Sequence, residues 1–498
     1  MSSKSNTNQP FPLSASDFKQ RLSKSLQGSP DLVTKTFHHH EQEIIVCFLT
    51  YQVNKEQLDR NLLKPLVDRK RRWDEESLLN TIPLSSGKTQ NDLDSLAKQL
   101  IGGHVCLYIA GADKAVTFFT PQLEHRALTQ AETESLVFGP QISFTESMVT
   151  NLNIVRWRLN NEELVTEKII VGERVPTEVR LVYIKSLTNE ENVQTVRQRL
   201  QDLLVDEVED TSVLGQYIED SSSSIFPQLI FTELPDRFCY SITKGKVGIM
   251  VDKSPTALIG PTTLFSFFES TEDIYMRWNM GTFIRLLRFT AMFISIILTP
   301  LYVAALTYHY EVVPGSLLVS LGQSRAMVPF PPIMEALLLE LLIELLREAG
   351  ARLPTKVGQT MGIVGGIVLG QAAVQAGFTS NILIIIVALS ALASFTAPSY
   401  LMGTAIRIIR FPMIILGGLW GLIGILFGLS FLIIHVLKLT SLGRPYLSPL
   451  YPMQRQDLGD SFIRLPFKKN NTRPISNMPK DTQRYPKQQA ARKKDIDD

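Results

Sequence analysis

Cysteine is scarce in this chain. Only Cys47, Cys106 and Cys239 occur in 498 residues, far apart in apolar, strand-like runs. They are expected to be buried free thiols. No CxxC pair and no nearby Cys/His set points to zinc or redox work. Histidine is also rare, and the His38-His39-His40 triplet reads as a weak metal binder at best. The N-terminal stretch MSSKSNTNQPFPLSASDF has no apolar core, so a secretory signal peptide is not expected. Enzyme signatures are missing too: there is no P-loop, no GxSxG and no HExxH. No catalytic residue, metal or cofactor is assigned. Net charge is small, +2 at neutral pH, which by itself argues neither for nor against a charged partner. No fold motif supports nucleic-acid binding.

Charge is also absent from long stretches late in the chain, and this absence is the most informative. Phe289–Tyr310, Gly358–Gly377, Asn381–Met402 and Pro412–Leu437 carry no Asp, Glu, Lys or Arg. Runs of that length predict membrane helices. A fifth segment, Glu335–Gly350 (EALLLELLIELLREAG), is as leucine-rich but carries four glutamates. The expected fold class is therefore an α/β soluble N-terminal region followed by an all-α polytopic membrane domain.

The boundaries read as follows. Residues 1–30 are polar and expected to be disordered. Residues 31–120 form a first α/β subdomain and 121–286 a second. Residues 287–440 form the membrane domain, with four to five membrane helices plus an acidic amphipathic helix over 333–349. Residues 441–498 are a basic tail, expected to be disordered from 466. Gly103–Phe119 and Gly245–Pro261 align without gaps as strand, turn and Ala-led second strand. They predict two similar subdomains in tandem. Arginines before the first span and the basic tail after the last place both ends on the cytoplasmic side. An even number of crossings follows, and the acidic helix is the natural exception.

Two helices are candidates for function. At about 100° per residue, Glu340, Glu344 and Glu348 form one stripe, with Arg347 on the same side. Charges facing lipid are costly, so the stripe faces either an interfacial layer or a hydrated path. Gly358, Gly362, Gly366 and Gly370 recur every four residues, a pattern for close helix packing within one subunit or against a second copy. Gln371 adds a polar group to a segment that would span more easily without it.

These stretches, in order, resemble one family. FGPQISFTESMVTNLNIVRWRL, GKVGIMVDKSP, VPFPPIMEALLLELLIELLREAGARLP, GQTMGIVGGIVLGQAAVQAG and SLGRPYLSP are similar to the A-type subunit of the GerA family of spore germination receptors. The resemblance implies a multi-pass protein of the spore inner membrane. It implies a B-type, transporter-like partner, a C-type lipoprotein and a homo-oligomer. It further implies a nutrient-gated cation channel subunit, with a non-conducting signalling scaffold as the alternative. Glu340, Glu344, Glu348, Arg347 and Gln371 would then line a pore or hydrated face.

Overall fold

The computed structural model describes residues 11–122, 138–353, 370–466 and 470–484, with the isolated positions 131, 134, 136, 366 and 368. Ten strands build two sheets. The first contains β1 (Leu32–His39), β2 (Gln42–Leu49), β3 (Lys88–Gln90), β4 (His104–Ile109) and β5 (Ala115–Phe119), in the order β1-β2-β4-β5-β3. The second contains β6 (Leu164–Val171), β7 (Thr177–Ile184), β8 (Ile230–Thr232), β9 (Val247–Val251) and β10 (Ala257–Gly260), in the order β6-β7-β9-β10-β8. Every neighbouring pair is antiparallel, and the two orders are identical. The hairpins that echo each other in sequence are β4-β5 and β9-β10, at equivalent places in the two sheets.

Strand side chains alternate between two faces, and both faces are covered. Ile44 and Val46 pack with Leu58, Leu62, Leu66 and Trp73 on one side of the first sheet. Ile45 and Cys47 pack with Phe18, Leu22, Leu96 and Leu100 on the other. Phe18 and Leu22 lie in a helix over Ala15–Ser25, capped by the Ser14 hydroxyl, which accepts from Asp17 N at 3.1 Å. The expected disorder over 1–30 is therefore corrected for this segment. Its polar composition hides a stripe of Phe18, Leu22 and Leu26 that fills the sheet face, with Phe18 stacked on Tyr108 at 4.2 Å.

The subdomains are joined by a buried ion pair. Asp31 meets the Arg180 guanidinium at 2.9 and 3.2 Å, and Thr166 donates to it at 3.0 Å. One face of the second sheet packs on helices 190–201 and 211–218. The core on its other face runs through Phe267 and Phe268 into Met292, Met402 and Ala405 of the helical region without a break.

That region is a bundle. An entry helix covers Trp278–Tyr308, an acidic helix Pro332–Arg352 and a short apolar helix Asn381–Ser394. The last piece, Tyr400–Lys438, is two helices that meet at a sharp kink. Gly421 has φ 63°, outside helical space. Gly417 faces Ile425, and Gly428 faces Met413, contacts that a straight helix forbids. The segment is a helical hairpin with arms 400–420 and 422–438. The reading of Pro412–Leu437 as one span is corrected accordingly, because only a glycine takes this φ at the turn without strain.

The segment after the hairpin returns to the second sheet. Tyr446 is fully buried and donates to the Pro227 carbonyl at 2.7 Å. Asp457 accepts from the backbone of Ile475 and Ser476 at 2.9 and 2.7 Å. Asn477 donates to the Lys244 carbonyl at 3.2 Å. Residues 470–484 are thus tied down, where a disordered tail was expected. The soluble region and this C-terminal segment share one end of the bundle, its base.

Candidate functional site: a polar column through the bundle

The acidic helix packs among the other helices of the bundle. Its carboxylates define three levels, each met by hydroxyls and arginines from neighbouring helices. At the far end, Glu335 is buried and accepts from Ser380 N at 2.5 Å and Thr379 Oγ1 at 3.1 Å. Arg325 lies 3.6 Å from its second oxygen, and the Tyr302 and Ser380 hydroxyls are 3.2 Å apart. Glu335 therefore helps cap the start of the short apolar helix.

Glu340 sits five residues on, about 7.5 Å along the axis. It is 1% exposed. One oxygen accepts from Arg410 at 2.7 Å and the other from Thr299 at 3.1 Å. Arg410 is equally buried, and it also donates to the Ser295 carbonyl at 2.8 Å, the Ser390 carbonyl at 3.1 Å and the Ser295 hydroxyl. Thr299 bridges to Ser390 at 3.2 Å. All four bundle elements contribute to this level.

Glu344, one turn nearer the base, is half-buried and meets Arg347 at 3.0 Å and Arg407 at 3.4 Å. Arg347 bonds Ser394 at 3.3 Å and lies over the Phe395 ring, 4.4 Å from its centre. Glu348 is exposed and pairs with Arg352 at 2.5 Å. The sequence stripe is thus a gradient, from a fully buried Glu340 to an exposed Glu348. Beneath Phe395 opens a polar cavity of about 300 Å³, lined among others by Glu134, Arg237, Glu272, Arg288 and Thr396.

The base is rigidly joined to the soluble region. Asp273, fully buried, receives Arg288 at 2.8 and 3.0 Å and Arg285 at 3.3 Å. The arginines read from sequence as topology signals are therefore structural partners. Arg464 from the C-terminal segment donates to the carbonyls of Ile274, at 2.7 Å, and Met276.

Of the glycine positions, Gly358 and Gly362 lie outside the described residues. Gly366 and Gly370 are described, and no described atom lies within 4 Å of a Cβ built there. Gln371 is exposed. The structure brings Glu340, Glu344 and Arg347 into one column; Glu348, Gln371, Gly366 and Gly370 are not part of it. Arg410, Arg407, Ser295, Thr299 and Ser390 were not assigned to a site from sequence. A signal existed: Arg407 and Arg410 stand in an otherwise uncharged run, about one helical turn apart, as are Glu340 and Glu344. Buried arginines need carboxylates, and few others were available.

Trp278–Tyr308 is long and apolar enough to cross a membrane, and the two arms of the Tyr400–Lys438 hairpin are apolar. Residues 20–476 match the model of the Bacillus/Clostridium GerA spore germination proteins. The chain is 42% identical to spore germination protein GerQA of Bacillus cereus over 467 residues, 94% of this chain and 93% of that one. It is 36% identical to spore germination protein KA of Bacillus subtilis (strain 168), covering 94% of this chain and 87% of the relative. Among solved structures, the N-terminal domain of the A subunit of the Bacillus megaterium spore germinant receptor GerK3 covers 51% of this chain and 96% of its own. Its identity is 21% and its TM-score 0.41.

Proposed function

This chain belongs to the GerA family of spore germination proteins, and from that premise we propose that it is the cation-conducting subunit of a nutrient-germinant receptor. It would lie in the spore inner membrane with its soluble region and C-terminal segment cytoplasmic, beside a B-type transporter-like subunit and a C-type lipoprotein, in a homo-oligomer. The observation that carries the conducting role is the polar column. Three carboxylates, four arginines and several hydroxyls run along the axis of otherwise apolar helices. Each ion taken into such a setting costs several kcal/mol before pairing, roughly, and a purely apolar bundle would avoid that cost. The polar cavity at the base extends the column toward the soluble region. Glu344 and Glu348, less buried than Glu340, are the carboxylates best placed to attract cations.

The experiment is ion flux across liposomes containing this subunit with its two partners. Nutrient-dependent potassium flux is expected. It should fall severalfold in Glu344→Gln plus Glu348→Gln, with the complex still assembled. The scaffold reading is favoured by the closure of Glu340 and Arg410 into a neutral pair within one chain. A tight membrane around an intact, nutrient-binding complex would select it.

A further inference from the structure

The C-terminal segment carries a loop whose surface is unlike that of an ordinary turn. Leu450, Tyr451 and Met453 are 45, 61 and 66% exposed, and Pro452 between them is exposed too. Turns are usually covered by small polar residues, and a run of large exposed apolar side chains marks a contact surface. The loop is nonetheless well built. Leu450 N and Tyr451 N donate to the Leu447 carbonyl at 3.0 and 3.3 Å, and Gln454 N donates to the Pro449 carbonyl at 2.9 Å. The Ser448 hydroxyl donates to Gln454 Oε1 at 3.2 Å. Backbone groups closed on themselves in this way can leave bulk water at little cost.

Both ends of the loop are pinned where the apolar helices stop. On one side, Tyr446 N donates to the carbonyl of Leu439, the residue after the hairpin, at 3.1 Å. On the other, the helix Arg455–Phe462 follows, and Phe462 packs on Phe289 with ring centres 5.3 Å apart. Phe289 opens the uncharged run of the entry helix. The neighbouring surface has the same character. Trp278, Met280 and Phe283 at the start of the entry helix are exposed, while Arg285 and Arg288 turn inward. An aromatic belt with a tyrosine beside it suits the boundary between lipid and water.

Charge points to the kind of lipid. From Lys438 to Gln456 the chain has three cations and no carboxylate. Arg444 is taken by Glu191 at 2.6 Å. Lys438 and Arg455 are exposed and have no ion-pair or hydrogen-bond partner among the described residues. Asp457, the next carboxylate, is committed to the backbone of Ile475 and Ser476. Unpaired cations flanking an apolar tip form the two-part signal of an interfacial anchor.

We propose that the loop 449–454 dips into an anionic lipid surface at the base of the bundle, with Lys438 and Arg455 against the headgroups. It would hold the C-terminal segment, and through it the second subdomain, against the membrane. The proposal rests on the bundle lying in a membrane and is independent of conduction.

The test uses the full-length protein in phosphatidylcholine vesicles, with and without phosphatidylglycerol. A fluorophore is attached to Tyr451→Cys, the three native thiols being buried. Lipid bearing a nitroxide near the top of the acyl chain is the quencher. Phe431→Cys, exposed on the hairpin, reports whether the bundle is in lipid, and Val67→Cys in the first subdomain is the aqueous control. Quenching at 451 is expected to exceed that at 67 severalfold and to rise with phosphatidylglycerol. Lys438→Gln plus Arg455→Gln should abolish that rise. Quenching at 431 with none at 451 overturns the anchor and leaves the membrane reading intact. No quenching at either position overturns both. Quenching at 451 indifferent to phosphatidylglycerol overturns the anionic lipid. Shielding of 451 from aqueous iodide without lipid quenching means that protein covers the loop, and overturns the anchor as well.

Discussion

Arg410 and Glu340 are both about 1% exposed, and neither has water as an alternative partner. Removing one leaves a buried charge, whereas removing both removes the problem. Arg410→Met alone should therefore cost about 3–5 kcal/mol, seen as a clear drop in melting temperature of the detergent-purified protein. Glu340→Leu plus Arg410→Met should recover most of that loss. If the double variant assembles with its partners yet passes no cations, the pair serves function beyond stability. The cysteines make a second case at this scale. All three are buried and free, and burial pushes the Cys47 and Cys239 thiols up to about 12. Only the thiolate reacts, so all three should be silent toward a thiol reagent at pH 8 in the folded protein and titrate fully after unfolding. Their inertness was readable from the apolar strand context. The partner of Glu340 was not, because it lies 70 residues away on another helix.

The hairpin over Tyr400–Lys438 shows what element-level reading misses. Hydropathy sees an uninterrupted apolar run from Pro412 to Leu437, and length alone makes it one span. A single glycine at φ 63° divides it. A Cβ at Gly421 would also come within 2.7 Å of His309 Nε2. Gly421→Val should therefore destabilise the bundle by about 1–3 kcal/mol from backbone strain alone, and more from the clash. The arrangement has a direct chemical test. In a straight helix, residues 413 and 428 would be about 22 Å apart. In the hairpin they touch. Met413→Cys plus Gly428→Cys, in a background lacking the native cysteines, should form a disulfide on mild oxidation. Failure to cross-link in the intact protein would remove the hairpin. By contrast, the acidic helix itself was legible in sequence, since leucine spacing and a charged stripe are properties of one helix.

At the scale of the whole molecule, the base of the bundle and the two subdomains form one body through buried charge pairs. Asp31 with Arg180 joins the subdomains, and Asp273 with Arg285 and Arg288 joins the second subdomain to the entry helix. Asp31→Ala should cost about 3–5 kcal/mol at the subdomain junction by leaving Arg180 without its acidic partner across it. Urea unfolding of the full chain is expected to split into two transitions, the first belonging to residues 31–120. A single unchanged transition would mean that the junction contributes little. The repeated strand order is the other whole-molecule feature. It was visible as a faint echo between Gly103–Phe119 and Gly245–Pro261, because the central hairpin of each sheet is buried on both faces and accepts few residue types.

Properties that depend on neighbours in sequence were determined by the sequence itself. These are the α/β character of the first half, the apolar helices of the second, the buried thiols and the unusual acidity of one leucine-rich helix. Each follows from periodicity, composition or run length, which act over a few turns or strands. Tertiary structure decided what those elements do to one another. It turned a stripe of glutamates into a graded column by setting arginines against it, and folded one apolar run into two arms. The physical reason is the same in each case. Burial of charge and the close approach of helices are settled between residues far apart in the chain, and no local pattern encodes the distance between them.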